Sequence, residues 1–190
     1  MRAFTDYETT QEYTNFQRLP AGAYPIKIIR AEDDGKALCI LFDIAEGEFA
    51  DYYHRKFADD RKRIESGNVK YKGVFRLWYP DGSQYDDNKK RRMKTALKLI
   101  KEANNLNVDF TKEWDGAVFK NCRCAMIFRD TEWEYQGKTG MTAQPFVLLS
   151  PEDLTERNYE IPKPKYLGNT QASQSAQGFV ELDDDGDLPF

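Results

Sequence analysis

Between residues 89 and 103 the chain changes its hydrophobic period, and that change limits the folds open to it. Met93, Ala96, Leu97, Ile100 and Ala103 fall on one face of a 3.6-residue helix, with Lys89, Lys90, Arg91, Arg92, Lys94, Lys98 and Lys101 mostly elsewhere. Asp86, Asp87 or Asn88 is placed to cap its start. On either side of this helix the apolar residues come in short runs broken by Gly, Pro and Asp, the pattern of strands and turns. Residues 22–30 and 37–45, separated by Asp33-Asp34-Gly35, read as a hairpin. Residues 52–57 read as a third strand, which 74–79 continue or follow after a charged insertion. Beyond the helix, 118–128 and 141–149 supply a fourth and fifth strand, with a turn at Gly137-Lys138.

Three strands, a helix and two more strands is the order of an OB barrel, although small α+β sandwiches share it. The expected fold is mainly β: an OB-like five-stranded barrel with one α-helix between strands 3 and 4, followed by a disordered acidic C-terminal tail. A chain of 190 residues with 40% apolar and 14% aromatic content supports one core. Residues 1–20 read as an N-terminal arm, 21–168 as the folded body, 169–178 (NTQASQSAQG) as a flexible linker and 179–190 as an acidic tail.

Charge is unevenly divided. The formal net charge is −4 from 28 basic and 32 acidic residues, yet the tail alone holds five acids and no base. Residues 1–178 keep 27 acids against 28 bases, so the body is close to neutral and compatible with a phosphate backbone as partner. No apolar run is long enough to span a bilayer, and residues 1–20 lack the apolar core of a secretory signal, so a cytoplasmic protein is expected. Three cysteines, an odd number, fit a reducing compartment, and a single histidine leaves no four-ligand zinc set.

The tail, FVELDDDGDLPF, joins Glu181, Asp183, Asp184, Asp185 and Asp187 to an apolar tip, Leu188-Pro189-Phe190, that ends on the α-carboxylate. The acids repel one another and forbid independent folding. A merely solubilising tail has no use for the tip, whose ring and carboxylate suit an apolar pocket rimmed by Arg or Lys. The last eight residues, DDDGDLPF, resemble the C-terminal tip of bacterial and phage single-stranded DNA-binding proteins. Three blocks of the body, LPAGAYPIKIIRAED (19–33), FDIAEGEFADYY (42–53) and NYEIPKPKYL (158–167), resemble an uncharacterised family of phage replication-region proteins. The resemblance implies an OB-type body that binds single-stranded DNA and a tip that binds replication or recombination proteins of host or phage through Asp183, Asp184, Asp185, Asp187, Leu188, Pro189 and Phe190.

Sequence-tolerant binding of single strands needs cations to follow phosphates and flat side chains on which bases stack. Alternation in 74–79 puts Phe75, Leu77 and Tyr79 on one face and Arg76 with Trp78 on the other, unless the faces are inverted and Trp78 is core. The charged insertion carries Arg61, Lys62, Arg63, Lys70, Tyr71 and Lys72, either a basic loop that closes over a strand or a solvated charge run. Tyr52, His54 and Lys56 alternate onto one face of the expected third strand. Trp133, Tyr135 and Lys138 belong to the hairpin between the last two strands, which in OB folds borders the ligand groove. Tyr53, Phe57, Phe119 and Phe128 are assigned to the core.

Catalysis has little support. Pro80-Asp81 followed by Asp87-Asn88-Lys89 has the residue types of a metal-dependent nuclease, but the spacing is too short and turn and cap chemistry explains it. There is no phosphate loop and no nucleophile elbow. The sequence therefore points to a cofactor-free, non-enzymatic single-stranded DNA-binding protein, with no metal and no membrane partner, for which a homo-oligomer is open. A replisome adaptor that uses the same tail without touching DNA, and a strand-annealing or recombination mediator, are the alternatives.

Overall fold

A computed structural model of the chain describes Thr5 and residues 16–64 and 67–168. The linker and the acidic tip, including Asp183, Asp184, Asp185, Asp187, Leu188, Pro189 and Phe190, lie outside the described residues, as does most of the expected arm. Along the chain run β1 (Gly22–Asp33), β2 (Ala37–Ile44), α1 (Tyr52–Arg63), β3 (Val74–Trp78), α2 (Asp86–Ala103), a single 3-10 turn (Gly116–Phe119), β4 (Arg123–Tyr135), β5 (Lys138–Leu149) and α3 (Pro151–Glu156). The strands form one antiparallel sheet in the order β3-β2-β1-β4-β5. The sheet is open, with β3 and β5 as its edges.

The first hairpin closes through its carboxylates. Asp33 Oδ1 accepts the Gly35 N–H at 2.7 Å, and Asp34 Oδ1 accepts those of Lys36 and Ala37, while Gly35 takes the positive φ the turn needs. On the inner face Ile26, Ile28 and Ala31 of β1 meet Leu38, Ile40, Phe42 and Ile44 of β2, then Phe75 and Leu77 of β3 and Cys124, Met126 and Phe128 of β4, all buried. A bulge between Ile28 and Arg30 leaves Ile29 unpaired and exposed, and it turns Arg30 outward with Lys27. The second hairpin has a two-residue turn at Gln136-Gly137, both with positive φ, one residue earlier than the sequence suggested.

Residues 52–57 are helical, contrary to the expected third strand. The chain enters α1 through Asp51 in the left-handed region, which offers no side-chain cap. The cap comes from β2 instead. Asp43, buried, accepts the N–H groups of Ile44 and Tyr53 on Oδ1 (both 2.9 Å) and that of His54 on Oδ2 (2.8 Å), satisfying two otherwise orphaned donors of the first helical turn. Helical spacing then buries Tyr52 and Tyr53 together, with Phe42, Phe49, Phe16 and Phe128 packed edge-on or stacked around them. The end of the expected arm belongs to this body: Leu19 is buried and its N–H donates to the Tyr52 hydroxyl at 3.2 Å.

Two further boundaries move. Val118 and Phe119 sit in the 3-10 turn rather than on a strand, and β4 starts only after Asn121, whose φ of 66° breaks the extended run. Asp86 and Asp87 lie inside the first turn of α2 rather than capping it, and Asp86 instead accepts the N–H groups of Asp81 and Gly82. Helix α2 buries Ala96 and Ile100 in the core and touches β3 at one edge of the sheet and β4 and β5 at the other. It therefore spans the gap that a closed barrel would fill with a strand pairing. Among the described residues no helix is long and apolar enough to cross a membrane.

Candidate nucleic-acid interface

Strand β3 carries the first group of candidate residues. Its alternation is clean: Phe75 and Leu77 are buried, Arg76 is exposed and Trp78 is half-buried on the opposite face. Because directly opposed residues of an antiparallel pair point to one side, the register extends that outer face across the sheet. It pairs Arg76 with Cys39, Cys39 with Glu32, and Leu41 with Arg30, and it sets Lys27 opposite Arg123. Arg30 is paired with Glu32 at 3.1 Å and Arg123 with Glu46 at 4.0 Å, while Lys27 stands between Arg123 on β4 and Asp43 on β2. Lys27, Arg30 and Arg123 escaped the sequence reading.

The second part is the β4–β5 ribbon beyond Phe128. Arg129, Trp133 and Tyr135 of β4 and Lys138 of β5 share the parity of Arg123, the outer face, while Asp130, Glu132 and Glu134 share that of Met126 and Phe128. Charge is thus separated by the pleat. The acidic side is already engaged: Asp130 pairs with Arg18, Glu132 Oε2 accepts the Leu167 N–H at 3.0 Å, and Lys165 adds a short parallel bridge at Thr131. On the outer side Trp133 faces Gly140 across the ladder, and its ring lies so close that a methyl group there would fall 2.6 Å from Cζ2. Gly140 lets the indole lie flat on the ribbon. Tyr135 is exposed opposite Lys138.

The other expected contacts separate. On a helix Tyr52 and Lys56 are one turn apart, but His54 points roughly 200° away from Tyr52 by the helical period, so the three share no face. Tyr52 is core, Lys56 lies 5.3 Å from the Phe16 ring and pairs with Asp60, and His54 is exposed. Arg61, Lys62 and Arg63 form the last turn of α1, not a loop, where the helix dipole favours cations; Arg61 covers Phe57 and Arg63 bridges Asp59. Lys70 and Lys72 are exposed on the link to β3. Tyr71 between them is half-buried, its hydroxyl 3.0 Å from both the Phe42 carbonyl and Asp43 Oδ2; burial and that carboxylate push its pKa well above the usual tyrosine value. Its hydroxyl thus ties the link before β3 to the carboxylate that caps α1.

The residues of the nuclease-like motif are likewise occupied. Asp81 binds Lys89 at 2.8 Å and the Ser83 N–H at 3.1 Å, and the Lys89 contact followed by Ser83 holds its carboxyl well below the usual range. Among the described residues no three His, Cys, Asp or Glu side chains converge as metal ligands do. Neither a scan against protein-family models nor a search of the curated proteins finds a match for this chain.

Proposed function

We propose that this protein binds single-stranded DNA without sequence preference and recruits replication or recombination proteins through its C-terminal tip, as a phage-encoded protein would. The observation that carries the reading is the charge separation of the β4–β5 ribbon, where Arg129, Trp133 and Lys138 share one face and Asp130, Glu132 and Glu134 the other; Arg76, Trp78, Lys27 and Arg123 lie on the same side of the sheet as the ribbon's bases, with Glu32 and the buried Asp43 as the acids on that side. Cations beside half-buried indoles suit a flexible polyanion whose bases are free to stack. We read the open sheet as OB-like, because a three-strand meander precedes the helix and α2 lies between the two edges whose meeting would close the barrel.

Affinity for a labelled unstructured oligonucleotide, followed by anisotropy over a range of salt concentrations, tests this. The expected log-log slope is about −0.7 per phosphate neutralised; absence of saturable binding favours the adaptor alternative. The tip is tested separately. Removing Phe190 alone leaves the side-chain charges intact, so oligonucleotide affinity, whose salt-dependent part is set by charge, should stay within about twofold. Capture of host replication or repair proteins should be lost, because the ring is gone and the terminal carboxylate is displaced by one residue. Identical capture by the full-length and shortened proteins would mean that the tip is not a ligand.

A further inference from the structure

Helix α2 brings two arginines to one spot at the sheet's open seam. Arg92 is half-buried and, among the described residues, donates a single long hydrogen bond, to the Phe146 carbonyl at 3.4 Å. Arg129 lies 4.8 Å above the ring of that same Phe146. Burial and then the charge of Arg129 both lower the pKa of Arg92 from its ordinary value, so the two cations feel one another. No carboxylate among the described residues pairs with Arg92. Lys89, one turn earlier, is different: Asp81 holds it at 2.8 Å.

Arg92 also lines a shallow depression with Arg76, Leu77, Trp78 and Lys89, beside β3. Two guanidinium groups, one of them poor in acceptors, set against an exposed arginine and an indole make a place for a doubly coordinated oxyanion. We infer that this seam holds a phosphate group between Arg92 and Arg129, with the base beside that phosphate stacked on Trp78. The inference rests on the proposed DNA-binding reading for the source of the phosphate, and the chemistry is that of any phosphate oxyanion.

Two measurements on the full chain judge it: the salt slope of oligonucleotide binding, and the shift in unfolding temperature caused by inorganic pyrophosphate at low salt. The variants are Arg92→Gln, Arg129→Gln and their combination, with Lys98→Gln, exposed on the far side of α2, as control. The double variant should reduce the magnitude of the slope by about 0.7, the share of the one phosphate the two arginines hold, with each single variant at or below that loss and the control leaving it unchanged. Pyrophosphate should raise the unfolding temperature of the unaltered protein and the control but not of the double variant. A double variant that keeps the full slope, or that pyrophosphate stabilises equally, overturns the site. If the unaltered protein binds no oligonucleotide the DNA-binding reading falls, and pyrophosphate alone decides the seam: stabilisation lost in the double variant upholds an anion site, and no stabilisation overturns it.

Discussion

Replacing Asp43 with Ala should lower the thermal unfolding midpoint by about 6–12 °C, the shift for roughly 3 kcal/mol in a domain of this size. The side chain is buried and serves four donors: the Ile44, Tyr53 and His54 N–H groups and the Tyr71 hydroxyl. Deleting it strands two N–H groups at the start of α1 in a place water reaches poorly, and an unmet buried donor costs about 1–3 kcal/mol. It also frees Tyr71 from the wall of the aromatic cluster around Tyr53. Asp43→Asn should be nearly as damaging, since an amide NH2 would replace one oxygen and meet donors with a donor. Calorimetry or circular dichroism melting of the purified variants measures this, and a midpoint within about 2 °C of the parent would show that α1 does not depend on the carboxylate.

Trp78→Ala should weaken single-strand binding by about 1–3 kcal/mol, roughly 5- to 150-fold in Kd, the range found when a base loses its aromatic platform. The half-buried ring is on the outer face of an edge strand whose inner residues, Phe75 and Leu77, carry the packing. Secondary structure should therefore survive the change. The discriminating measurement is affinity per folded molecule: a lower melting temperature with unaltered Kd would make Trp78 a packing residue. Combining it with Trp133→Ala tests whether one strand of DNA crosses both platforms, since β3 and the ribbon are at opposite ends of the strand order and their effects add unless one ligand couples them.

Much of the sheet could be read from the chain because its signals are local. The Asp33-Asp34-Gly35 turn is closed by its own side chains, and the alternation of Val74–Trp78 alone sorts Phe75 and Leu77 from Arg76 and Trp78. Helix α1 was hidden because its start is decided by Asp43, which is distant in sequence, while Tyr52, Tyr53 and Phe57 favour strands on their own. One local signal was present: Lys56 and Asp60, and Asp59 and Arg63, are spaced for salt bridges on a helix and form them. The outward turn of Arg30 could not be read from period-2 alternation, because the bulge at Ile29 shifts the phase by one residue. Arg92 and Arg129 are on different elements and meet only because α2 crosses to the β5 edge, so no spacing rule would have paired them.

The most direct test of the central claim uses the protein's own tryptophans. Trp78 and Trp133 lie on the outer face, and Trp114 is packed against Phe110 and Phe119. Titrating the full chain with an unstructured oligonucleotide, and separately with a duplex of the same length, should give saturable quenching with the single strand, weakened by salt, and much weaker binding of the duplex. Quenching that never saturates, or tighter binding of the duplex, would contradict the assignment of this face to single-stranded DNA.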